Sequence, residues 1–325
     1  MQVSQLNDVL SMLPRPDKLR INRILVSLDF DDQALRVLEA ALCIARYFHS
    51  EVFLVHSVST HSPDERSGHD GACFRESCIQ AGIKRLKAAV AARPSLNSVT
   101  HHEIAAAESP FELIQQLVTS EQIDLIIVGS HGASGLARIA TGSLAEGLMR
   151  RASCPTLIVE PHAVVSGNPF RKILLATDLG KSCASATSFA AAVATRFQGE
   201  LYALHVINHK KVPLLAQSQE AEEIFARHRM RTSLLQDITS SCTVGLIAKH
   251  GVPQNIVVQT AEEYGAGVII TGISEGMLHD EHAPWSTFAA IVREARCPVL
   301  AIPNRLPIDV LMPPQFSAML AQPQI

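Results

Sequence analysis

The sequence lacks several features that would each indicate a particular class of protein. Aromatic residues make up only 5% of the 325 residues and charged residues 18%, and 28 lysines and arginines nearly balance 31 aspartates and glutamates. The net charge of −3 lacks the basic excess typical of general nucleic-acid binding. No uncharged apolar run reaches the ~18 residues that span a bilayer. We therefore expect neither a nucleic-acid partner nor a membrane partner.

The cysteines do not indicate a metal site or a disulfide framework. All seven are scattered and none forms a CxxC pair, which argues against a zinc ribbon or a thioredoxin-type motif. Most are expected to be small buried apolar residues in a reducing compartment. Cys73 and Cys78 lie close together in a polar stretch, so a redox role stays a minor alternative. The first twenty residues include Asp8 and Asp17 and show no apolar core of a signal peptide, so we expect a cytoplasmic location.

What the sequence does contain is an internal repeat. The apolar run around His56 recurs around His205, at an offset of 205 − 56 = 149. The run that ends at Gly129 recurs at Gly272, at an offset of 272 − 129 = 143. Two constant offsets that differ by six place one net deletion in the second copy, between these markers. The pattern predicts a duplicated domain.

Each copy alternates short apolar runs with amphipathic segments. In the first copy this pattern predicts strands at 22–28, 51–58, 99–105, 123–129 and 155–160, and helices at 33–49, 71–92, 110–120 and 143–151. Alternation of this kind predicts a parallel sheet with helices on both faces. The predicted fold class is therefore α/β, with two tandem doubly wound, Rossmann-like domains, each built on a five-stranded parallel sheet. The predicted boundaries are an N-terminal extension 1–19, domains 20–162 and 163–304, and a proline-rich tail 305–325.

A glycine-rich segment follows the fourth predicted strand of the first copy. Two residues separate Gly129 from Gly132, and nine residues separate Gly132 from the pair Gly142-Ser143. Glycine lets a ligand approach the backbone closely, and the N–H groups that open a helix favour a phosphate. For any single glycine, the alternative is an ordinary turn between a strand and a helix.

The full spacing, Gly-x2-Gly-x9-Gly-Ser between a buried strand and a helix, resembles the ATP-binding signature of the universal stress protein family. The resemblance covers about 20–160 and 168–304, and Asp29 and His56 fit the family as well. It implies ATP as the ligand, with base and ribose at the ends of the first two strands and Mg²⁺ screening the phosphates. The residues that it assigns to ATP binding are Ser27, Leu28, Asp29, Ser57, Val128, Gly129, His131, Gly132, Gly142, Ser143, Leu144 and Ala145.

The second copy departs from that signature. By the offset of 143, Gly132 corresponds to Glu275 and Gly142 to Trp285. A carboxylate facing phosphates is repulsive, and an indole fills space that the ligand needs. We therefore predict that triphosphate binding is lost in the second copy.

The resemblance implies a nucleotide-responsive stress or signalling factor, with the two domains packed face to face as a pseudo-dimer. Two departures in the first copy, Ser57 for an apolar residue and Ala133 for a basic one, are expected to weaken affinity. No catalytic residues are predicted, because the sequence shows no GxSxG motif and no general base in the loop. Any ATP hydrolysis should be slow. The alternatives are a nucleotide-independent interaction module, with an unknown protein partner or self-association, and an ATPase or nucleotidyl-transferring enzyme.

Two further segments leave alternatives open. His279-Asp280-Glu281-His282 is compatible with a metal site, but a solvated loop is the preferred interpretation, so no metal ligand is predicted. The tail contains Val310-Leu311-Met312 among four prolines. This apolar patch is either part of a disordered tail or a contact with a partner or the other domain.

Overall fold

The predicted apolar runs form strands in a computed structural model of the chain. The structure describes residues 19–30, 34–58, 69–130, 144–145, 147–148, 154–165, 167–180, 183–208, 218–234, 242–273 and 284–304. The strands of the first copy are β1 (Arg23–Ser27), β2 (Glu51–Ser57), β3 (His101–Ala106), β4 (Leu125–Gly129) and β5 (Thr156–Val159). Those of the second copy are β6 (Lys172–Ala176), β7 (Glu200–Ile207), β8 (Thr243–His250), β9 (Val268–Ile273) and β10 (Val299–Pro303).

Helices alternate with these strands. In the first copy they are α1 (Ala34–Phe48), α2 (His69–Ala91) and α3 (Pro110–Ser120), with a short 3₁₀ helix at Pro94–Ser98. In the second copy they are α4 (Cys183–Phe197), α5 (Gln219–Leu234), α6 (Pro253–Tyr264) and α7 (Pro284–Glu294). The helix predicted at 143–151 falls mostly outside the described residues. None of the helices in the described part of the chain is long and apolar enough to cross a membrane.

Local sequence explains where α3 begins. The Ser109 hydroxyl accepts a hydrogen bond from the Glu112 N–H at 3.3 Å and donates one to the Glu112 carboxylate at 2.8 Å. Pro110 occupies the first turn, where a missing N–H costs nothing. The Ser109 hydroxyl thus satisfies one of the amide groups that the helix start leaves without a partner, and the Glu112 carboxylate holds that hydroxyl in place.

The strand order confirms the predicted fold class. Within each copy the neighbouring strands are parallel, and the order along the sheet is β3-β2-β1-β4-β5-β10-β9-β6-β7-β8. Helices α1, α2, α4 and α5 cover one face, and α3, α6 and α7 cover the other. Because both faces are covered, the central strands are apolar along their whole length rather than alternating. The fold is therefore two tandem doubly wound α/β domains.

The expectation of face-to-face packing is wrong, because the two sheets join edge to edge. β5 and β10 pair antiparallel, with Leu157 opposite Leu300. These two leucines are equivalent residues of the two copies (300 − 157 = 143), so a pseudo-two-fold axis passes between them. The pairing satisfies backbone N–H and C=O groups that a free edge strand would leave without partners. It also turns the carboxyl ends of the two sets of strands toward opposite edges of the joined sheet.

An aromatic cluster crosses the same pseudo-two-fold axis. Phe48 at the end of α1 and Phe197 at the end of α4 are equivalent residues (197 − 48 = 149), and their ring centroids lie 5.3 Å apart. Tyr47 contacts the Phe197 ring at 5.3 Å, and its equivalent, Arg196, lies over the Phe48 ring at 5.0 Å. Phe170 stacks on Phe197 at 5.2 Å. This reciprocal pattern is what a symmetric dimer interface has, here within one chain.

The backbone repeats the duplication in detail. His49 and Gln198 both have positive φ, 58° and 49°, and are 149 residues apart (198 − 49). Gln122 and Gly265, with φ of 50° and 63°, are 143 residues apart (265 − 122). Since positive φ is uncommon outside glycine, its recurrence at equivalent positions shows that the two copies share their turns as well as their strands.

Candidate functional site

The sheet has a topological switch point between β1 and β4. From β1 the chain continues to β2 and β3 on one side, whereas β4 and β5 lie on the other side. Val26 pairs with Ile127, so the ends of β1 and β4 lie side by side. In open α/β sheets, ligands bind at the carboxyl ends of the strands at such a point. The predicted site residues brought to this edge by β1, β2 and β4 are Ser27, Leu28, Asp29, Ser57, Val128 and Gly129.

A buried histidine ties β2 to the end of β1. The His56 Nδ1 lies 2.8 Å from the Leu28 carbonyl oxygen, and the side chain is only 8% exposed. A carbonyl oxygen only accepts, so Nδ1 carries the proton and donates it. The Leu28 N–H in turn donates to the Val55 carbonyl at 2.9 Å. Together these bonds fix the position of Leu28, the residue that directly precedes Asp29.

The turn after β1 is stabilised from the side of α2. Phe30 has a left-handed backbone (φ 58°), and its ring meets the His56 ring edge-on at 4.6 Å. The Arg85 guanidinium lies over the Phe30 ring, 4.3 Å from its centroid. Cation–π contacts of this kind contribute about 0.5–1 kcal/mol at exposed positions. Phe30 is therefore held between an imidazole and a guanidinium, next to Asp29.

Burial has the largest effect on the pKa of the His56 ring. It lowers the pKa of His56 below the ordinary value of 6.5, and the nearby Arg85 lowers it further. The bond to the Leu28 carbonyl and the charge of Asp29 raise the pKa, without offsetting the burial. At neutral pH the ring is consequently uncharged.

The second copy has the same arrangement at the end of its first strand. The His205 Nδ1 lies 2.9 Å from the Thr177 carbonyl, and burial lowers the pKa of His205 as well. Leu179 takes the left-handed backbone (φ 60°) that Phe30 has in the first copy. Arg229 lowers the pKa of His205 in the way that Arg85 lowers that of His56. This shared set of contacts belongs to the scaffold of both domains.

The strand-end aspartate of the second copy has local partners. The Asp178 Oδ1 accepts a hydrogen bond from the Gly180 N–H at 2.8 Å and one from the Cys183 thiol at 3.0 Å. Cys183 is the first residue of α4, so this carboxylate supports the start of that helix. Asp178 thus has a structural role in the second domain.

Ser57 also has a local partner that the sequence did not indicate. Its hydroxyl donates to the Glu108 carbonyl in the segment that follows β3. The equivalent residue in the second copy is Val206 (206 − 57 = 149), which has no hydroxyl. Ser57 therefore links the ends of β2 and β3 in the first domain.

The end of β4 leads into the glycine signature. Val128 is 1% exposed, so it contributes packing beneath the site, and the following Ser130 is fully buried with its N–H bonded to the Val159 carbonyl at 3.2 Å. Leu144 and Ala145, beyond the signature, pack against the core on this face of the sheet. The remaining predicted site residues lie outside the described residues: His131, Gly132, Gly142 and Ser143.

Sequence reasoning missed the supporting contacts of Phe30, Arg85 and Glu108. The recurrence of His56 as His205 could have indicated from the sequence that this imidazole supports the strand end in both copies. Nothing in one sequence indicates that a helix residue 55 positions further on (85 − 30) lies over the Phe30 ring. Such contacts depend on how α2 packs against the sheet.

Within the described ranges, no group of three or more histidine, cysteine, aspartate or glutamate side chains is placed to hold a metal ion. The segment His279–His282 falls outside those ranges. His101 and His102 have separate partners, Glu103 at 3.8 Å and Glu51 at 3.8 Å, because neighbouring strand residues face opposite ways. Cys73 and Cys78 lie five residues apart on α2, a rise of about 7.5 Å that exceeds the Cα separation a disulfide allows.

The fold and the strand ends define a tandem pair of doubly wound α/β domains, with a topological switch point between β1 and β4. The model of the universal stress protein family matches residues 20–160 and again 169–303. The chain belongs to the universal stress protein family.

Individual relatives agree with this assignment. A universal stress protein of Methanocaldococcus jannaschii is 27% identical over 154 residues, which are 47% of this chain and 89% of that protein. One from Bacillus subtilis is 27% identical over 147 residues, 42% of this chain and 98% of that protein. Among solved structures, a universal stress protein from Archaeoglobus fulgidus matches 88% of this chain and 99% of its own, with TM-score 0.63 and 19% identity. That last comparison shows that the tandem fold itself is shared.

Proposed function

We propose that this chain is a cytoplasmic, nucleotide-responsive stress or signalling factor whose first domain binds ATP. The observation that best supports the proposal is the meeting of the β1 end with the end of β4, which leads directly into the Gly-x2-Gly-x9-Gly-Ser signature. This is the position at which doubly wound sheets bind ligands. The family resemblance of that signature supports ATP as the ligand.

The site residues divide by the part of the nucleotide they would hold. Ser27 ends β1 and Leu28 and Asp29 follow it, so with Ser57 they would face the base and ribose. Gly129 and the signature residues His131, Gly132, Gly142 and Ser143 would face the phosphates, where backbone N–H groups and a helix start provide donors. Leu144 and Ala145 are helical residues that follow the signature, and they share a core cluster with Val128. Mg²⁺ would screen the triphosphate, since it binds mainly through phosphate oxygens and water.

The two domains differ in ways that favour a single nucleotide site. The second domain keeps the strand-end imidazole, as His205. Its signature glycines are replaced by Glu275 and Trp285. We infer that the second domain is a structural or regulatory partner of the first.

The test is the effect of ATP with Mg²⁺ on thermal unfolding of the full chain. A ligand that binds only the folded state stabilises it by about 2.7 kcal/mol at a concentration one hundred times its Kd. We expect a rise in Tm for the wild type and none for Gly132→Glu, which places a carboxylate in the signature. Gly276→Glu introduces a glutamate beside Glu275, the residue of the degenerate copy that corresponds to Gly132, and should keep the rise. No rise at millimolar ATP for the wild type would contradict the proposal.

The interaction-module alternative is favoured by one surface feature. Ile224 and Phe225 are adjacent on α5 and are 55% and 64% exposed. Exposed apolar side chains mark a contact surface where they form part of a larger contiguous patch, so these two residues are the place on α5 to test. Mass spectrometry of natively purified protein discriminates the two functions, because a nucleotide-independent module would carry no bound nucleotide.

A further inference from the structure

We propose that His56 is a positioning residue for the nucleotide, and that acid weakens nucleotide binding by charging its ring. This inference rests on the proposed function, since it concerns the site at the end of β1. It goes beyond that function by naming a residue outside the signature and a solution condition that would regulate the site.

The first step is the place of His56 in the site. Its Nδ1–H holds the Leu28 carbonyl at 2.8 Å, and its ring supports Phe30 at 4.6 Å. These two contacts lie on either side of Asp29 in the chain. His56 therefore holds in place the segment that carries the predicted base-binding carboxylate, without itself belonging to the signature.

The second step is the tight enclosure of the ring. Gly82 of α2 lies so close that a Cβ there would be 3.3 Å from the His56 Cδ2, 3.0 Å from the Ala105 Cβ and 2.9 Å from the Val58 Cγ1. The helix thus closes one side of the ring. A change in the position or hydration of this ring requires movement of α2 or of the β1 end.

The third step is the charge around the ring. The charged groups that face it are Asp29 from the end of β1 and Arg85 from α2, and β3 contributes the uncharged Ala105. Protonation would add a cation beside Arg85 in a place from which water is largely excluded. A charged His56 therefore favours an arrangement in which the β1 end opens to water. In that arrangement Asp29 loses the support that orients it.

The duplication provides a matched control. His205 makes the same bond to a strand-one carbonyl, at 2.9 Å from Thr177, and is subject to the same lowering of its pKa by burial. It lies in the domain that we expect not to bind nucleotide. Acid should therefore affect the scaffold of both domains, but only His56 should link acid to binding.

The experiment measures the Kd of ATP with Mg²⁺ by isothermal titration calorimetry on the full chain, from pH 5.5 to 8.0. The variants are His56→Asn and His205→Asn, because the asparagine amide places an N–H near the position of Nδ1 but does not titrate. In the wild type we expect affinity to fall only at pH values under the ordinary histidine pKa of 6.5, because burial lowers the pKa of His56. The fall should be at most about tenfold per pH unit for one linked proton. His56→Asn keeps an N–H donor but loses the ring contact with Phe30, so it should bind more weakly than the wild type at pH 8.0 and show a flatter profile.

The protonation of ATP itself contributes equally to the pH profile of every variant, so differences between the profiles report the protein alone. His205→Asn should follow the wild-type profile, and its Tm gives the cost of the substitution to the fold. Arg85→Gln is a second variant that leaves the imidazole in place. Because Arg85 lowers the pKa of His56, its removal should move the loss of affinity to higher pH.

Parallel pH profiles for the wild type and His56→Asn would overturn the proposal, as would an Arg85→Gln profile that does not move. If the wild type shows no ATP binding at any pH in this range, ATP binding by the first domain is refuted instead. The two failures are therefore distinguishable.

Discussion

Replacement of Phe197 by alanine should weaken the junction between the two domains more than it weakens either domain alone. The ring contacts Tyr47 and Phe48 of the first domain and Phe170 at the start of the second, with centroids 5.2–5.3 Å away. It lies beside the pseudo-two-fold axis, opposite its equivalent residue Phe48. Its loss therefore removes several contacts of the junction at once.

The size of the effect follows from burial and ring geometry. Truncation of a buried phenylalanine to alanine costs about 3–5 kcal/mol. Phe197 is only partly buried, so we expect a loss of about 2–3 kcal/mol in the free energy of unfolding. Each aromatic pair contributes about 0.5–1.5 kcal/mol beyond area burial. A double-mutant cycle of Phe48→Ala with Phe197→Ala should show coupling in that range.

The assay uses the single tryptophan of the chain. Trp285 belongs to the second domain, so its fluorescence during urea unfolding reports that domain, whereas far-UV circular dichroism reports both. In the wild type the two signals should change together, and in Phe197→Ala they should separate. Phe225→Ala, a substitution at a 64% exposed ring on α5, should change stability by no more than about 0.5 kcal/mol. A loss below about 1 kcal/mol for Phe197→Ala, or no coupling with Phe48, would refute the reasoning.

Two further predictions concern packing and reactivity. A Cβ at Gly199 would lie 2.3 Å from the Phe170 carbonyl oxygen, which belongs to the backbone and cannot rotate away. Gly199→Ala should therefore lower the free energy of unfolding, measured in urea, by about 1–3 kcal/mol. Unchanged stability would show that the chain relaxes at this position and would contradict the prediction. Burial raises the pKa values of the Cys154 and Cys297 thiols to about 12, so peptide mapping after iodoacetamide should show modification of the exposed Cys73 first. Equal labelling of all three in the folded protein would contradict this.

The fold could be predicted well from the sequence because the apolar runs and their spacing occur in both copies, so that each copy supports the interpretation of the other. Apolar runs bounded by turn residues are short enough to be strands, and the two offsets separate a real repeat from chance similarity. The predicted strands and helices of the first copy that fall in described ranges start and end within two residues of those observed. The strand order, however, follows from packing rules for doubly wound sheets rather than from any one residue.

The joining of the two domains could not be predicted in the same way. Apolar runs show that β5 and β10 are buried, but a strand buried between two helical layers and a strand buried beside another sheet look the same in sequence. Leu157 and Leu300 pair across the axis, and neither residue type nor spacing indicates this. The prediction of face-to-face packing was wrong for that reason.

The candidate site shows what a duplicated chain adds to such reasoning. The sequence marks His56 only as a residue that fits the family and recurs as His205 in the second copy. The structure shows the same bond at His205, in a copy whose signature is lost. A contact kept where the signature has been lost serves the scaffold first. Under the proposed function the nucleotide would depend on that scaffold, so the residues proposed to control binding extend beyond the glycines to the side chains that hold the β1 end in place.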